Sequence, residues 1–228
     1  MSMICFDLDG TLVNPLPGVV HCVRDTCTTF DLPCPTPEEI RPFIGPSVRG
    51  LFSKLLGAQA PERLDAVMAH YWKVFGEDGI FEHQIYEGVQ LLLGRLKRQD
   101  HRINVVTAKP ATFARQVAHY LDLNLIIDEI FGPAIDQPWP GKVAFMKSVC
   151  QGGALCTSGY LVGDRGDDMR AAVEFGLTPV GVTWGFGTRE ELLEGGATHI
   201  FDDIQALDTW LQQELPDPEI HDLVTRAE

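Results

Sequence analysis

No window of this 228-residue sequence holds eighteen consecutive apolar residues, so no membrane-spanning helix is expected, and Asp7 and Asp9 within the first ten residues do not suit a secretory signal. Cytoplasm is the expected location, with no membrane partner. Positive charge is scarce: 18 Lys and Arg stand against 32 Asp and Glu, and a net charge of -14 repels a phosphate backbone, which argues against polymeric nucleic acid as a partner. An anionic small molecule remains compatible if local cations meet it. The six cysteines, Cys5, Cys22, Cys27, Cys34, Cys150 and Cys156, include no C-x-x-C pair and no zinc spacing, so reduced thiols are expected. The seven histidines show no metal-ligand spacing either.

Several chemistries are excluded in the same way. The first strand-to-helix turn lacks G-x-G-x-x-G, and Gly185-Phe186-Gly187 is too short to bind a dinucleotide. There is no G-x-S-x-G nucleophile elbow, and no cysteine followed after five residues by arginine to make a thiolate phosphatase. A calcium loop starting at Asp7 would need Gly at its sixth position and Glu at its twelfth, where Leu12 and Gly18 stand.

What is present is an alternation of short β-like runs with helical stretches, in a chain whose 45% hydrophobic content suffices for a full core. The runs cover 4–8, 103–107, 129–131, 159–164, 179–184 and 199–201, and several intervening helical stretches end at glycine. This pattern predicts an α/β fold, a doubly wound, Rossmann-like parallel sheet. From about residue 15 to 83 the alternation stops and only helices are expected: Thr36-Pro37-Glu38-Glu39 reads as a capping box, and apolar stripes run from Val48 to Leu56 and from Leu64 to Phe75. The expected organisation is a core of residues 1–14 and 84–215, an all-helical insertion at 15–83 acting as a lid on a double hinge, and a loose tail at 216–228.

Asp7 and Asp9 leave the first strand on one face, and at about 5 Å and an effective dielectric near 20 their charges repel by roughly 3 kcal/mol. Something positive should lie between them, or one stays protonated. Leu161-Val162-Gly163-Asp164 again runs from strand to helix, with Asp168 one helical turn later. Acids at two strand exits of one parallel sheet fall where such sheets bind ligands, and an oxygen-rich donor set without cysteine or histidine suits Mg2+. Thr107, the Ala108 amide and the helix opening after Pro110 face the same rim and suit a phosphate. Lys142 opens another helix, a poor place for a cation unless it serves an anion, and beside a phosphate it would neutralise charge on the equatorial oxygens.

Asp7-Leu8-Asp9-Gly10-Thr11, Thr107, Lys142 and Gly163-Asp164-Arg165-Gly166-Asp167-Asp168, in that order, resemble the four motifs of the haloacid dehalogenase superfamily, and the helical insertion resembles its C1-cap subfamily. The stretches at 43–52, 131–142 and 162–169 resemble the phosphoglycolate phosphatase and 5'-nucleotidase-like branch, and 181–192 resembles the end of the phosphoglycolate phosphatase core, although Asn14-Pro15 stands where relatives usually carry Asp-Ser. The resemblance implies that Asp7 is a nucleophile forming an aspartyl phosphate and that Asp9 is the general acid and then base. It further implies that Thr107 and Lys142 hold phosphate, that Asp7, the Asp9 main-chain carbonyl and Asp164 bind Mg2+, and that Asp168 supports that site. Dehalogenases of the superfamily lack the second aspartate, which Asp9 supplies here.

The expected function is a magnesium-dependent phosphatase acting on a small phosphorylated metabolite, phosphoglycolate-like or a nucleoside monophosphate. The alternatives are a β-phosphoglucomutase-like phosphotransferase and a non-catalytic phospho-ligand module. Arg49, near the start of an insertion helix, is expected to reach a second polar group of the substrate. Oligomeric state is not legible.

Overall fold

The computed structural model describes residues 2–45, 48–135, 137, 139–151 and 158–216. Cys156 and the expected tail beyond residue 216 lie outside these. In chain order the elements are β1 (Met3–Phe6), β2 (Val13–Asn14), α1 (Leu16–Phe30), α2 (Pro37–Ile40), α3 (Val48–Leu56), α4 (Ala60–Glu77), β3 (Gln84–Ile85), α5 (Val89–Arg98), β4 (Arg102–Val106) and α6 (Ala111–Tyr120). They continue with β5 (Glu129–Phe131), α7 (Lys142–Gln151), β6 (Tyr160–Gly163), α8 (Gly166–Glu174), β7 (Thr178–Val182), α9 (Arg189–Gly195), β8 (His199–Phe201) and α10 (Ile204–Glu214).

Six strands form one parallel sheet in the order β5-β4-β1-β6-β7-β8, and these are the six runs expected from the sequence. The chain leaves β1 toward β4 on one side and returns later to β6 on the other, so the strand order reverses beside β1. Ligands bind such sheets at the carboxyl ends next to this reversal. All four residues of β1 are buried, as a central parallel strand covered on both faces requires. Ile4 and Phe6 join a large cluster with Ile103, Val105, Val162 and Val180, whereas Met3 and Cys5 pack on the opposite face with Val106, Leu161, Met146 of α7 and Ala172 of α8.

The larger cluster runs on through Leu8, Leu12 and Val13 into Val23 of α1, Phe52 of α3 and Tyr71 of α4, so the helices between β2 and β3 share the apolar interior of the sheet. β2 and β3 pair antiparallel, Val13 with Ile85 and Asn14 with Gln84, forming a two-stranded ribbon that brackets α1–α4. The capping box exists: Thr36 Oγ1 accepts from the Glu39 amide at 3.3 Å, and the Glu39 carboxylate accepts from the Thr36 amide at 2.9 Å. Among the described residues, Cys22, Cys27, Cys34 and Cys150 are free thiols, and no helix is long and apolar enough to cross a membrane.

Candidate active site

The Asp7 amide donates to the Val162 carbonyl at 2.8 Å, extending the β1–β6 pairing by one residue and carrying the Asp7 side chain to the exit of β6. The chain then turns sharply: the Leu8 carbonyl accepts from the amides of Thr11, Leu12 and Val13. Gly10 makes that turn possible, with φ +91°, and a Cβ there would lie 2.2 Å from Asp164 Oδ2. Thus the glycine of the first motif serves the carboxylate of the last.

Carboxylate oxygens of Asp7, Asp164 and Asp168 lie within 4.8 Å of one another, and all three residues are buried. Lys142 Nζ donates to Asp7 Oδ1 at 2.7 Å and also to Asp168 Oδ1. Burial raises the carboxyl pKa of each acid: Asp7 is partly relieved by Lys142, Asp164 is pushed further by its like-charged neighbours, and Asp168 is brought up to about 6. Burial would depress Lys142, but the charges of Asp168 and Asp7 outweigh it and raise its pKa. One ammonium among three buried carboxylates leaves negative charge uncompensated. Asp164 shows this directly, since Oδ2 accepts from the Phe186 amide at 2.7 Å while the buried Oδ1 has no partner among the described residues. An all-oxygen donor set with an orphaned carboxylate oxygen fits a hard divalent cation.

Asp9 is held apart from this cluster. Its Oδ1 accepts from Lys109 Nζ at 2.7 Å, so the positive charge expected beside this pair is supplied by a separate ammonium for each acid of the first motif. The Asp9 carboxylate is therefore not among the clustered metal-type oxygens. Thr107 is buried at the exit of β4, and its Oγ1 accepts from the Lys109 amide at 3.1 Å. Thr107 and Ala108 line the same cleft as Asp7, Asp9 and Lys142, a cavity of about 1240 Å³ whose far wall carries Val48, Tyr71 and Trp72 from the helices between β2 and β3. Arg49 also lines it, paired with Asp65 of α4.

The acidic run after β6 divides three tasks. Asp164 enters the carboxylate cluster, Asp168 bonds Lys142, and Asp167 Oδ2 accepts from the Lys142 amide at 2.7 Å, capping α7 and fixing where its lysine begins. Sequence reasoning did not assign this role to Asp167, nor any role to Lys109 or His83. Lys109 Nζ also meets His83 Nε2 at 2.7 Å, and burial, opposed by Asp9, lowers its pKa. The signal for Lys109 was its place two residues after Thr107. No local signal marks His83.

The family described as haloacid dehalogenase-like hydrolase matches residues 4–182. A 5'-nucleotidase of Pseudomonas aeruginosa is 30% identical over 205 residues, covering 90% of this chain and 92% of its own. A phosphoglycolate phosphatase of Rhodospirillum rubrum is 28% identical, covering 91% and 90%. Among solved structures, a predicted phosphatase from Clostridium acetobutylicum superposes with a TM-score of 0.83 at 27% identity, covering 93% of this chain and 98% of its own. With its motif residues gathered at one rim of such a sheet, the chain belongs to the haloacid dehalogenase-like hydrolase family.

Proposed function

We propose that this protein is a magnesium-dependent phosphatase that hydrolyses a small phosphomonoester through an aspartyl phosphate on Asp7. The single observation that carries this reading is the separation of the two acids: Asp7 lies in the carboxylate cluster against Lys142, and Asp9 lies outside it against Lys109. Nucleophile and proton carrier need different surroundings, and here they have them.

In the proposed sequence Asp7 Oδ attacks phosphorus, the bond from phosphorus to the leaving oxygen breaks, and Asp9 gives that oxygen its proton. Asp9 then takes a proton from water as water attacks the aspartyl phosphate, and inorganic phosphate leaves. Thr107, the Ala108 amide and Lys142 hold the phosphoryl oxygens, Lys142 offsetting charge that grows on them. Asp7, Asp164 and the Asp9 main-chain carbonyl would hold Mg2+, with Asp168 fixing Lys142 beside it. When bound, the cation supplies charge compensation at the phosphoryl group. The helices between β2 and β3 act as a cap that excludes bulk water, their ribbon serving as the hinge.

The 1240 Å³ cleft exceeds what a two-carbon acid fills, and its wall includes Phe43, Tyr71, Trp72 and Trp139. Both features favour a nucleoside monophosphate over phosphoglycolate, with Arg49 as a contact to the part of the substrate distant from phosphorus. The test is phosphate release from nucleoside monophosphates, phosphoglycolate and sugar phosphates, with and without magnesium, for the wild type and Asp7→Asn. Magnesium-dependent release, abolished in Asp7→Asn, is expected. Turnover retained in Asp7→Asn, or sugar phosphate isomerised without release of phosphate, refutes the reading.

A further inference from the structure

His83 sits between the last turn of the helical insertion and β3, and its side chain is fully buried. Its Nε2 lies 2.7 Å from Lys109 Nζ, and its Nδ1 lies 2.9 Å from the Gly79 carbonyl. With Lys109 as the ammonium, these contacts assign the tautomer. A lysine ammonium has only hydrogens to offer, so Nε2 must be the lone-pair nitrogen, and the single ring proton on Nδ1 donates to Gly79. Burial and the Lys109 charge push the His83 pKa down to about 2, so the ring stays neutral at any working pH.

Lys109 Nζ thereby lies 2.7 Å from Asp9 Oδ1 and 2.7 Å from His83 Nε2, and 5.1 Å from the Phe75 ring centroid. Phe75 also packs edge-on against the His83 ring, at 5.5 Å and 87°. Gly79, at the far end of the chain of bonds, is locked to α1: a Cβ on Gly18 would lie 2.2 Å from the Gly79 carbonyl oxygen. The line Gly79, His83, Lys109, Asp9 therefore runs from the packed base of the insertion to the proton carrier.

We propose that His83 is a positioning residue for the acid-base step, holding the Lys109 ammonium against Asp9 through Nε2 and coupling the aim of Asp9 to the seat of the insertion. This rests on the phosphatase reading, in which Asp9 protonates the leaving oxygen. A histidine buried only to fill space would not need its acceptor nitrogen on a cation that bonds Asp9.

The variants His83→Ala, His83→Asn and His83→Gln separate the roles. Asn keeps a donor where Nδ1 stands and loses the acceptor; Gln places a carbonyl oxygen near the Nε2 position. The substrates are a nucleoside 5'-monophosphate, whose alkoxide must be protonated to leave, and p-nitrophenyl phosphate, whose phenolate leaves without a proton. With kcat/KM reporting the first phosphoryl transfer, Ala and Asn are expected to lose about 10- to 100-fold on the nucleotide and little on the aryl ester, with Gln restoring most of the loss. Equal losses on both substrates, or Gln behaving as Asn does, overturn the proposal. Asp7→Asn run alongside keeps the two readings distinct: its full activity would sink the phosphatase mechanism, whereas its inactivity beside His83 variants matching wild type sinks only the role of His83. Independently of turnover, the imidazole 15N signals of the wild type are expected to show a protonated Nδ1 and a bare Nε2 from pH 5 to 8; a protonated Nε2 overturns the assignment.

Discussion

Lys142 Nζ lies 2.7 Å from Asp7 Oδ1 and bonds Asp168 as well, although the three residues come from the start of α7, the exit of β1 and the first turn of α8. Removing one partner of a buried charge group leaves the others uncompensated, which typically costs about 3 kcal/mol or more. Lys142→Met is therefore expected to lower unfolding free energy by about 3 kcal/mol at pH 7.5 and to cut kcat by at least about 100-fold. Denaturant melts and phosphate-release kinetics measure the two. A fully active Lys142→Met would remove the lysine from the mechanism.

Asp9 and Asp164 are expected to fail in different ways. Asp164 lies in the carboxylate cluster with an unpartnered oxygen, so Asp164→Asn should weaken magnesium binding by at least about tenfold. The Asp9 carboxylate is engaged with Lys109, so Asp9→Asn should leave magnesium affinity unchanged while lowering turnover of alkyl phosphates by about 10²- to 10⁴-fold. Calorimetric titration with magnesium separates them. Equal losses of affinity would place the Asp9 carboxylate on the metal after all.

Stability should depend on pH and magnesium together. Burial raises Asp7, Asp164 and Asp168, the last to about 6, so protons bind the folded state more tightly than the unfolded. The stability these groups add is thus fully present below their unfolded values near 4 and is lost as pH rises through their folded ones. With chelator present, the melting temperature is expected to fall from about pH 4 to about pH 6. A bound cation replaces those protons, so the gain from millimolar magnesium should be larger at pH 7.5 than at pH 5, as thermal melts would read. A larger gain at pH 5 contradicts the assignment.

The sheet and much of the rim were legible in the sequence because both are local. A parallel strand buried on both faces is a short apolar run, and the acid or hydroxyl at its exit follows at once, as in Val162-Gly163-Asp164 and Val106-Thr107. Lys142 was legible as a cation at a helix start. What stayed hidden depends on residues far apart in the chain: Lys109 finds Asp9 across 100 positions and His83 across 26, and no periodicity records either meeting. The β2–β3 ribbon escaped for the same reason, since two-residue strands carry no pattern and pair across the whole insertion. The helix α1 was obscured by Pro17 and Gly18 in its first turn, though that glycine is what lets α1 touch Gly79.

A last prediction concerns how the insertion grips the sheet. Arg41 donates from Nη2 to the Gly185 carbonyl at 3.3 Å and lies 5.0 Å from the Phe186 ring centroid, while the Phe186 amide holds Asp164 Oδ2 at 2.7 Å. The insertion thus rests on the loop that orients a metal-type carboxylate. A partly exposed cation over an aromatic face contributes about 0.5 to 1 kcal/mol, so a double-mutant cycle of Arg41→Ala and Phe186→Leu in thermal or denaturant unfolding should show coupling of about that size. Because Phe186→Leu keeps the backbone amide, the loss of Asp164 support should be small in that variant. Arg41→Ala, by freeing the loop from the insertion, is expected to speed amide exchange at residues 184–187. Strict additivity together with unchanged exchange would show that the contact between Arg41 and Phe186 carries no load.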